Sequence, residues 1–495
     1  MRRVEIALVT AFAWLFVSYA NAQTISDSNV ATTPKVTTAT IGTTNGNTTP
    51  LKLDEESKPI HEVVEAATFG QQTGISDIEV TFEYRRPAKS NLIFTITDAG
   101  VIRSFSIDGV ERTLTDLNYP YLNSHEERLW LENGVAVPNE GDWWHKVRIT
   151  ISGVTEKSAM RWEAQHYATH ELRKFGLRNI SIKTLAHLDR SKTLRVMDYN
   201  IQNGMWADQG NNYENFVAWM RRADTDVVIF CEAQSNYITG IDKRLPEPIP
   251  ERYLPAHWGE FAARWGHKYW VIGAHQDNHP VVVTSKYPLT LVQALGGEEV
   301  SHGGVHAQVE VNGEKIDLVG FHTFPHAYAR ELVKTDRVKE QKESRRRYDG
   351  EKFRAEEMQI FMERTILNKK FKKRKNWLIM GDTNCLSPLD DRFFGHGADS
   401  PLYWGHKYIL ENTPCIDIVK QYCCPQQRDV LIPSIQWERR IDIIYATPSM
   451  MERVVKVETP KDEFTTSIKE PGLRHHKRSS DHLPVIVDFK IENSK

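Results

Sequence analysis

Arg478-Ser479-Ser480-Asp481-His482-Leu483-Pro484 lies near the C-terminus, and the alternating residues Val485, Val487 and Phe489 follow at once. Apolar residues at period two predict a strand. An acid and an imidazole therefore stand at a loop-to-strand edge, where a rigid scaffold can hold polar groups over a cleft. The same triplet also opens ordinary turns, so its meaning depends on what the upstream strands deliver.

Those strands deliver similar residues. Leu194 to Tyr199 reads as a strand and runs into Asn200-Ile201-Gln202-Asn203-Gly204. The apolar run Asp226 to Cys231 stops at Glu232. Val305 to Val311 and Lys315 to Phe321 form a hairpin through Asn312-Gly313, and the second strand ends at His322. Trp377 to Met380 leads to Gly381-Asp382-Thr383-Asn384, and Arg440 to Ala446 carries Asp442 inside a strand. Helical patterns over Tyr213 to Arg222 and Glu351 to Asn368 interleave with them. Hairpins with interleaved helices predict a layered α/β fold with mixed sheets.

These segments, in this order, resemble the endonuclease/exonuclease/phosphatase superfamily, which includes pancreatic-type deoxyribonuclease, sphingomyelinases and inositol-polyphosphate phosphatases. The resemblance covers residues 193–492. It implies a four-layer α/β sandwich, with two packed mixed β-sheets flanked by helices. It also implies hydrolysis of phosphate esters with Mg²⁺, or Mn²⁺ or Ca²⁺ in its place. The chemistry needs such residues. A phosphodiester repels an anionic nucleophile, and a hard divalent ion neutralises that charge. Mg²⁺ takes oxygen ligands, commonly from one or two carboxylates.

By the resemblance, Glu232 is the first metal ligand, Asp481 is the second or a close outer partner, and Asn200 sits beside them. Asp382 and His482 would orient and deprotonate the attacking water and hold the phosphate. Asp442 would fix the tautomer of His482. Asn384 would donate to a phosphoryl oxygen, and His322 would act at the leaving group. Which histidine is base and which is acid stays open. Asn278 and His279, just before Val281, are expected to line the cleft and touch substrate. One departure is Gln202, where the apurinic endonuclease branch carries an acid; it argues against a close match to that branch.

The N-terminal half is written differently. Arg2 and Arg3, an apolar run from Ile6 to Tyr19, and Ala20-Asn21-Ala22 predict an export signal over residues 1–22. That run is too short to span a bilayer, and no later stretch reads as a transmembrane segment. The mature protein is expected to be secreted or periplasmic. Residues 23–70 read as a flexible Thr/Ser/Asn-rich linker, loosely helical from Lys52 to Phe69. Residues 71–188 carry short alternating strands, with Ile78, Val80, Phe82 and Tyr84 in one and Val147, Ile149 and Ile151 in another. Asp108-Gly109 and Asn133-Gly134 supply turns. This predicts an all-β sandwich resembling the jelly-roll modules of secreted enzymes. Trp130, Trp143, Trp144 and Trp162 are candidates for a glycan-binding or surface-binding face, or for its core.

Composition narrows the partners. The 495 residues are 40% hydrophobic and 26% charged with a net charge of −2, so affinity for a phosphate must be local. The basic stretch Lys369 to Lys375 has acids interleaved before it and reads as a solvated helix end. Five cysteines leave at least one unpaired, with a disulfide open within Cys415 to Cys424. The leading expectation is an exported metal-dependent phosphoesterase, with nucleic acid slightly favoured as substrate over a phospholipid or small phosphoester. The alternative from another class is a non-catalytic surface- or carbohydrate-binding protein. Retention of Glu232, Asp382, Asn384, Asp442, Asp481 and His482 speaks against it.

Overall fold

The structure is a computed structural model. It describes residues 36–40, 43–44, 47–48, 53–54, 61–67, 73–85, 89–98, 100–114, 126–131, 144–233, 257–274, 279–326, 349–424, 431–466 and 479–491. The expected export signal, Trp143 and Asn278 lie outside these residues.

The C-terminal half is built on two six-stranded sheets. The first runs in the order Tyr269–Ile272, Val282–Ser285, Val227–Cys231, Thr193–Asn200, Val485–Lys490, Val454–Glu458. The second runs Leu289–Leu295, Gly304–Val311, Glu314–His322, Trp377–Asp382, Asp442–Ala446, Ile416–Asp417. Runs such as Val227–Cys231 are buried throughout, as strands covered on both faces should be. One face of each sheet looks inward. Leu194, Val196 and Ile229 meet Val309, Leu318 and Met380 there. Pleating turns Met197, Tyr199 and Phe230 outward, against Phe216, Trp219 and Met220 of the helix Glu214–Ala223. Val319, Phe321 and Ile379 meet Met358, Phe361 and Met362 of the helix Asp349–Arg364. Helices thus lie against the outer face of each sheet.

Strand direction explains why one end gathers polar residues. Thr193–Asn200 and Val227–Cys231 are parallel, so Asn200 and Glu232 leave the first sheet at the same end. Glu314–His322 and Trp377–Asp382 are also parallel, which sets His322 opposite Asp382. Antiparallel neighbours begin where these end. Asp442 opens its strand opposite Asp382, and His482 stands three residues before Val485, which pairs with Asp198.

The N-terminal half forms two further sheets. One holds Val36–Thr40, Val63–Ala67, Met160–His166, Ser90–Thr97 and Glu126–Trp130, with Leu172–Arg173 paired to its middle strand. The other holds Thr43–Thr44, Asn47–Thr48, Gly176–Leu188, Ile75–Arg85, His145–Val154, Val101–Ile107 and Val110–Arg112. Their inward residues make one apolar cluster. In it Phe82 of the second sheet stacks on Phe94 of the first at 6.1 Å and meets Trp162 edge-on at 5.6 Å.

The expectation for the linker is corrected here, and two alternatives left open are narrowed. The stretch read as a loosely helical linker contains the strand Val63–Ala67, with Val63, Val64 and Ala66 buried. Its pairing to Met160–Glu163 supplies hydrogen bonds that the local sequence does not announce. Val36–Thr40, inside the expected flexible linker, runs parallel to it. Trp162 is fully buried and so cannot belong to a glycan-binding face. Trp144 lies under the Arg178 guanidinium at 4.1 Å. None of the five cysteines is joined in a disulfide, so none closes within Cys415 to Cys424. No helix among the described residues is long and apolar enough to cross a membrane.

Candidate active site

Asp382 is the hub of the polar strand ends. Its Oδ2 accepts from Asn200 Nδ2 at 2.9 Å and lies 3.5 Å from His322 Nε2 and 3.7 Å from His482 Nε2. Its Oδ1 accepts from the Asn384 backbone N–H at 2.8 Å. Burial pushes this carboxyl up to about 7; His482 pulls it down and Asp442 adds to the rise. The row His322–Asp382–Asp442 is cross-strand register made chemical, since paired residues on neighbouring strands share a face.

His482 is held from the side away from Asp382. Its Nδ1 donates to Asp442 Oδ2 at 2.8 Å and Oδ1 at 3.0 Å. Asp442 accepts in turn from Ser434 Oγ at 2.8 Å. With Nδ1 committed, Nε2 faces Asp382 and Asp481. Burial lowers the imidazole's pKa, but Asp442 and Asp382 outweigh it and raise the result well above the ordinary histidine value. The two carboxylates thus favour the protonated form of the His482 ring.

Glu232 and Asp481 form the second part. Glu232 follows its strand with φ of 52°, a left-handed backbone unusual for a non-glycine residue. That turn lets Oε2 accept from Asn203 N–H at 2.8 Å while Oε1 accepts from Asn200 Nδ2 at 3.2 Å. Burial pushes the Asp481 carboxyl up; His482 opposes this, and Glu232 adds like charge. Two carboxylates placed side by side, Glu232 adding like charge at Asp481, fit a hard divalent cation by donor type and by charge.

Asn200 stands between the carboxylates of Glu232 and Asp382, with its amide orientation set by the next turn. Its Oδ1 accepts from Gln202 N–H at 3.0 Å. A backbone N–H needs an oxygen, so the amide nitrogen is the end turned to Glu232 and Asp382. In this orientation Asn200 bridges the two carboxylates. Asn384, at φ of 46°, donates one amide hydrogen to Thr323 O at 3.1 Å and keeps another. His279 packs near His322, with ring centroids 6.0 Å apart.

Sequence reasoning missed several members. Asp198 lies one pleat below Asn200 on the inward face and is fully buried; burial, then Asp442 and Asp382, raise its carboxyl well above the usual range. The period-two pattern Asp198, Asn200 was the available signal. Ser480 Oγ donates to Asn200 O at 2.8 Å and accepts from His482 N–H at 3.1 Å, locking the two strand ends together. His302, stacked on His322, carried no local signal. Asp382, Asp442 and His482 offer ligand atoms within 4.8 Å of one another, all buried.

A family model described as the endonuclease/exonuclease/phosphatase family matches residues 199–482, more than half of the chain. The chain belongs to this family. Its members are hydrolases, nucleases and phosphatases among them, and generally depend on a divalent metal. Solved structures similar to this chain include an AP endonuclease from Archaeoglobus fulgidus, 17% identical over 60% of this chain and 100% of its own, with a TM-score of 0.38. A 3′-5′ exonuclease from Neisseria meningitidis is 14% identical over 60% of this chain and 100% of its own, with a TM-score of 0.38. A family protein from Bacteroides thetaiotaomicron is 14% identical over 61% of this chain and 98% of its own, with a TM-score of 0.37. No curated protein matches the sequence.

Proposed function

We propose that the protein is an exported hydrolase of phosphate esters that uses a divalent metal, Mg²⁺ or Mn²⁺ or Ca²⁺. The observation that carries this reading is the buried Asp382 hub between His322 and His482, with Glu232 and Asp481 beside it. Glu232 and Asp481 would hold the ion. Bound there, it would neutralise the phosphate and the charge developing on it.

The chain's own groups divide the remaining work. Asp382, with its pKa near neutrality, takes a proton from the attacking water. An acid tuned close to the operating pH suits that task. His482, kept cationic by Asp442, binds a phosphoryl oxygen. Asn384 gives its remaining amide hydrogen to another such oxygen. His322, on the other side of Asp382, donates to the leaving oxygen. Asn200 holds Glu232 and Asp382 at a fixed separation.

The export part of this reading, to the periplasm or outside the cell, is supported by the basic and apolar N-terminus of the sequence. The two-sheet N-terminal unit is, in the same reading, an ancillary β-sandwich for contact with a surface or glycan. Nucleic acid is the favoured substrate, ahead of a phospholipid or small phosphoester.

The test is direct. Purified protein with Mg²⁺ or Mn²⁺ should hydrolyse bis(4-nitrophenyl) phosphate, and EDTA should abolish turnover. A panel of DNA, RNA, sphingomyelin and inositol phosphates then ranks substrates. Metal-replete protein with no turnover on any phosphate ester would sink the proposal.

A further inference from the structure

We infer that His302 is a positioning residue that fixes the ring plane of His322 for donation to the leaving group; this rests on the phosphoesterase reading above. The two imidazoles stack with centroids 4.3 Å apart and planes 19° apart. Both are nearly buried, at 8% and 2% exposure. His279 closes the edge of the pair, 4.8 Å from His302 and 6.0 Å from His322.

The stack is held by a device built for it. Glu357, on the helix Asp349–Arg364, is fully buried. Its Oε1 accepts from Ser301 N–H at 2.6 Å and Ser301 Oγ at 2.7 Å. Its Oε2 accepts from Phe324 N–H at 2.8 Å. One carboxylate thus ties the residue before His302 to the turn just after His322. Arg354, one turn earlier on the same helix, donates to Phe324 O at 2.8 Å and His326 O at 2.9 Å and pairs with Glu351. Glu351, Arg354 and Glu357 make a buried charged stripe pointed at the loops that carry the two rings.

Glycines let the loop approach. Gly303 has φ of +88°, and its carbonyl accepts from His322 N–H at 3.4 Å. A Cβ at Gly304 would collide with Gly320 O. The loop lies flat on the strand that ends in His322, and His302 has little freedom to leave its partner.

A plain core would not be made this way. An aliphatic residue would fill the space without burying polar atoms, which costs free energy unless they are bonded. The buried Glu357 carboxylate, in turn, accepts its three hydrogen bonds from the segments flanking the two rings. What the arrangement secures is orientation. His322 is covered on one face by His302 and faced at Nε2 by Asp382, so its ring has one plane in which to work. Misplacement of a reacting group by about 1 Å can cost about 100-fold in rate.

The experiment uses His302→Ala, His302→Leu and His302→Phe in the full chain, each checked for folding by thermal midpoint. Two esters are compared at saturating Mg²⁺: bis(4-nitrophenyl) phosphate, whose leaving group needs little protonation, and the best alkoxide-leaving substrate of the panel. The Ala and Leu variants should lose about 10- to 100-fold in kcat on the alkoxide ester. That loss should exceed their loss on the nitrophenyl ester by about 10-fold, with KM on both within about 3-fold. Phe, which keeps a flat ring, should recover most of the loss. Equal losses on the two esters, no loss with Ala, or recovery by Phe no better than by Leu would overturn the inference while leaving the phosphoesterase reading intact. No turnover of either ester by the wild type would overturn that reading and this inference together.

Discussion

Asp442→Asn is the perturbation that probes the site most directly. The side chain keeps its shape and loses the charge that faces His482 Nδ1 at 2.8 and 3.0 Å. A hydrogen bond to a charged group contributes about 1.5–3 kcal/mol, and about 1.36 kcal/mol corresponds to one pKa unit. Burial then has one less opponent, because it alone lowers the pKa of His482 while Asp442 and Asp382 raise it. The pKa should fall by about one to two units. If His482 acts as the cation, the alkaline limb of kcat/KM moves to lower pH by that amount. The plateau should drop by about 10- to 100-fold, as for other groups that orient an active imidazole. The assay is a pH profile on bis(4-nitrophenyl) phosphate at saturating Mg²⁺. Stability gives a second reading of the same group. A pKa raised by folding contributes stability that is complete below the unfolded value, about 6.5, and is lost as pH rises through the folded value. The gap in thermal midpoint between wild type and variant should therefore be widest below about pH 6.5 and narrow in alkali. A folded variant whose alkaline limb coincides with that of the wild type refutes the assignment of His482 as the working cation.

Three further outcomes follow from the same geometry. Glu232→Gln should raise the Mg²⁺ concentration for half-maximal rate by about 10- to 100-fold, and coincident metal titrations for variant and wild type would reject Glu232 as a ligand. Asp382→Asn should flatten the pH dependence of stability in EDTA: the folded carboxyl has its pKa raised to about 7, so it withdraws stability between about pH 4 and pH 7, and an unchanged slope in melting experiments would contradict that. Arg440→Ala should cost about 3–5 kcal/mol in urea unfolding, because Arg440 is buried and pairs with Asp390 at 2.8 Å and Asp417 at 2.7 Å; a cost under about 1 kcal/mol would mean the ion pairs are dispensable.

The catalytic half was legible where apolar strands end abruptly in polar residues. Val227–Cys231 with Glu232, and Trp377 to Met380 with Asp382, announce both a strand and its edge. Two parallel strands with antiparallel neighbours then bring those edges to one place, a consequence of direction that the local text does not state. Leu289–Leu295 does not announce itself as a strand, because it is half solvent-facing and lacks a clean alternation. Val63–Ala67 reads as linker because five residues carry little pattern, and their burial depends on Met160–His166 nearly a hundred positions later. The role of Asn200 needed the backbone N–H of Gln202, which decides the amide's orientation. The partnership of His302 with His322, and of Glu357 with both loops, joins segments that only the folded chain brings together.

The way the two halves meet bears on what the N-terminal unit can do. Arg103, on the strand Val101–Ile107, donates to Tyr422 O at 2.7 Å and lies over the Tyr422 ring at 4.5 Å. Val101 of the same strand joins the core between the catalytic sheets. The chain enters the catalytic half at Thr193, seven residues before Asn200, or about 23 Å along an extended strand. The N-terminal unit is therefore packed against the catalytic half, and its covalent entry is at the far end from the catalytic groups. Among the described residues, every group of the candidate site comes from the C-terminal half. Under the proposed function, none of the described groups assigned to bond cleavage lies in the first unit. Substitution of Arg103 by Ala should then loosen the contact between the halves, seen as faster proteolysis between them, while kcat on a small soluble ester stays within about 3-fold of wild type. A large loss of kcat on that ester would show that the two halves are coupled through the chemistry itself.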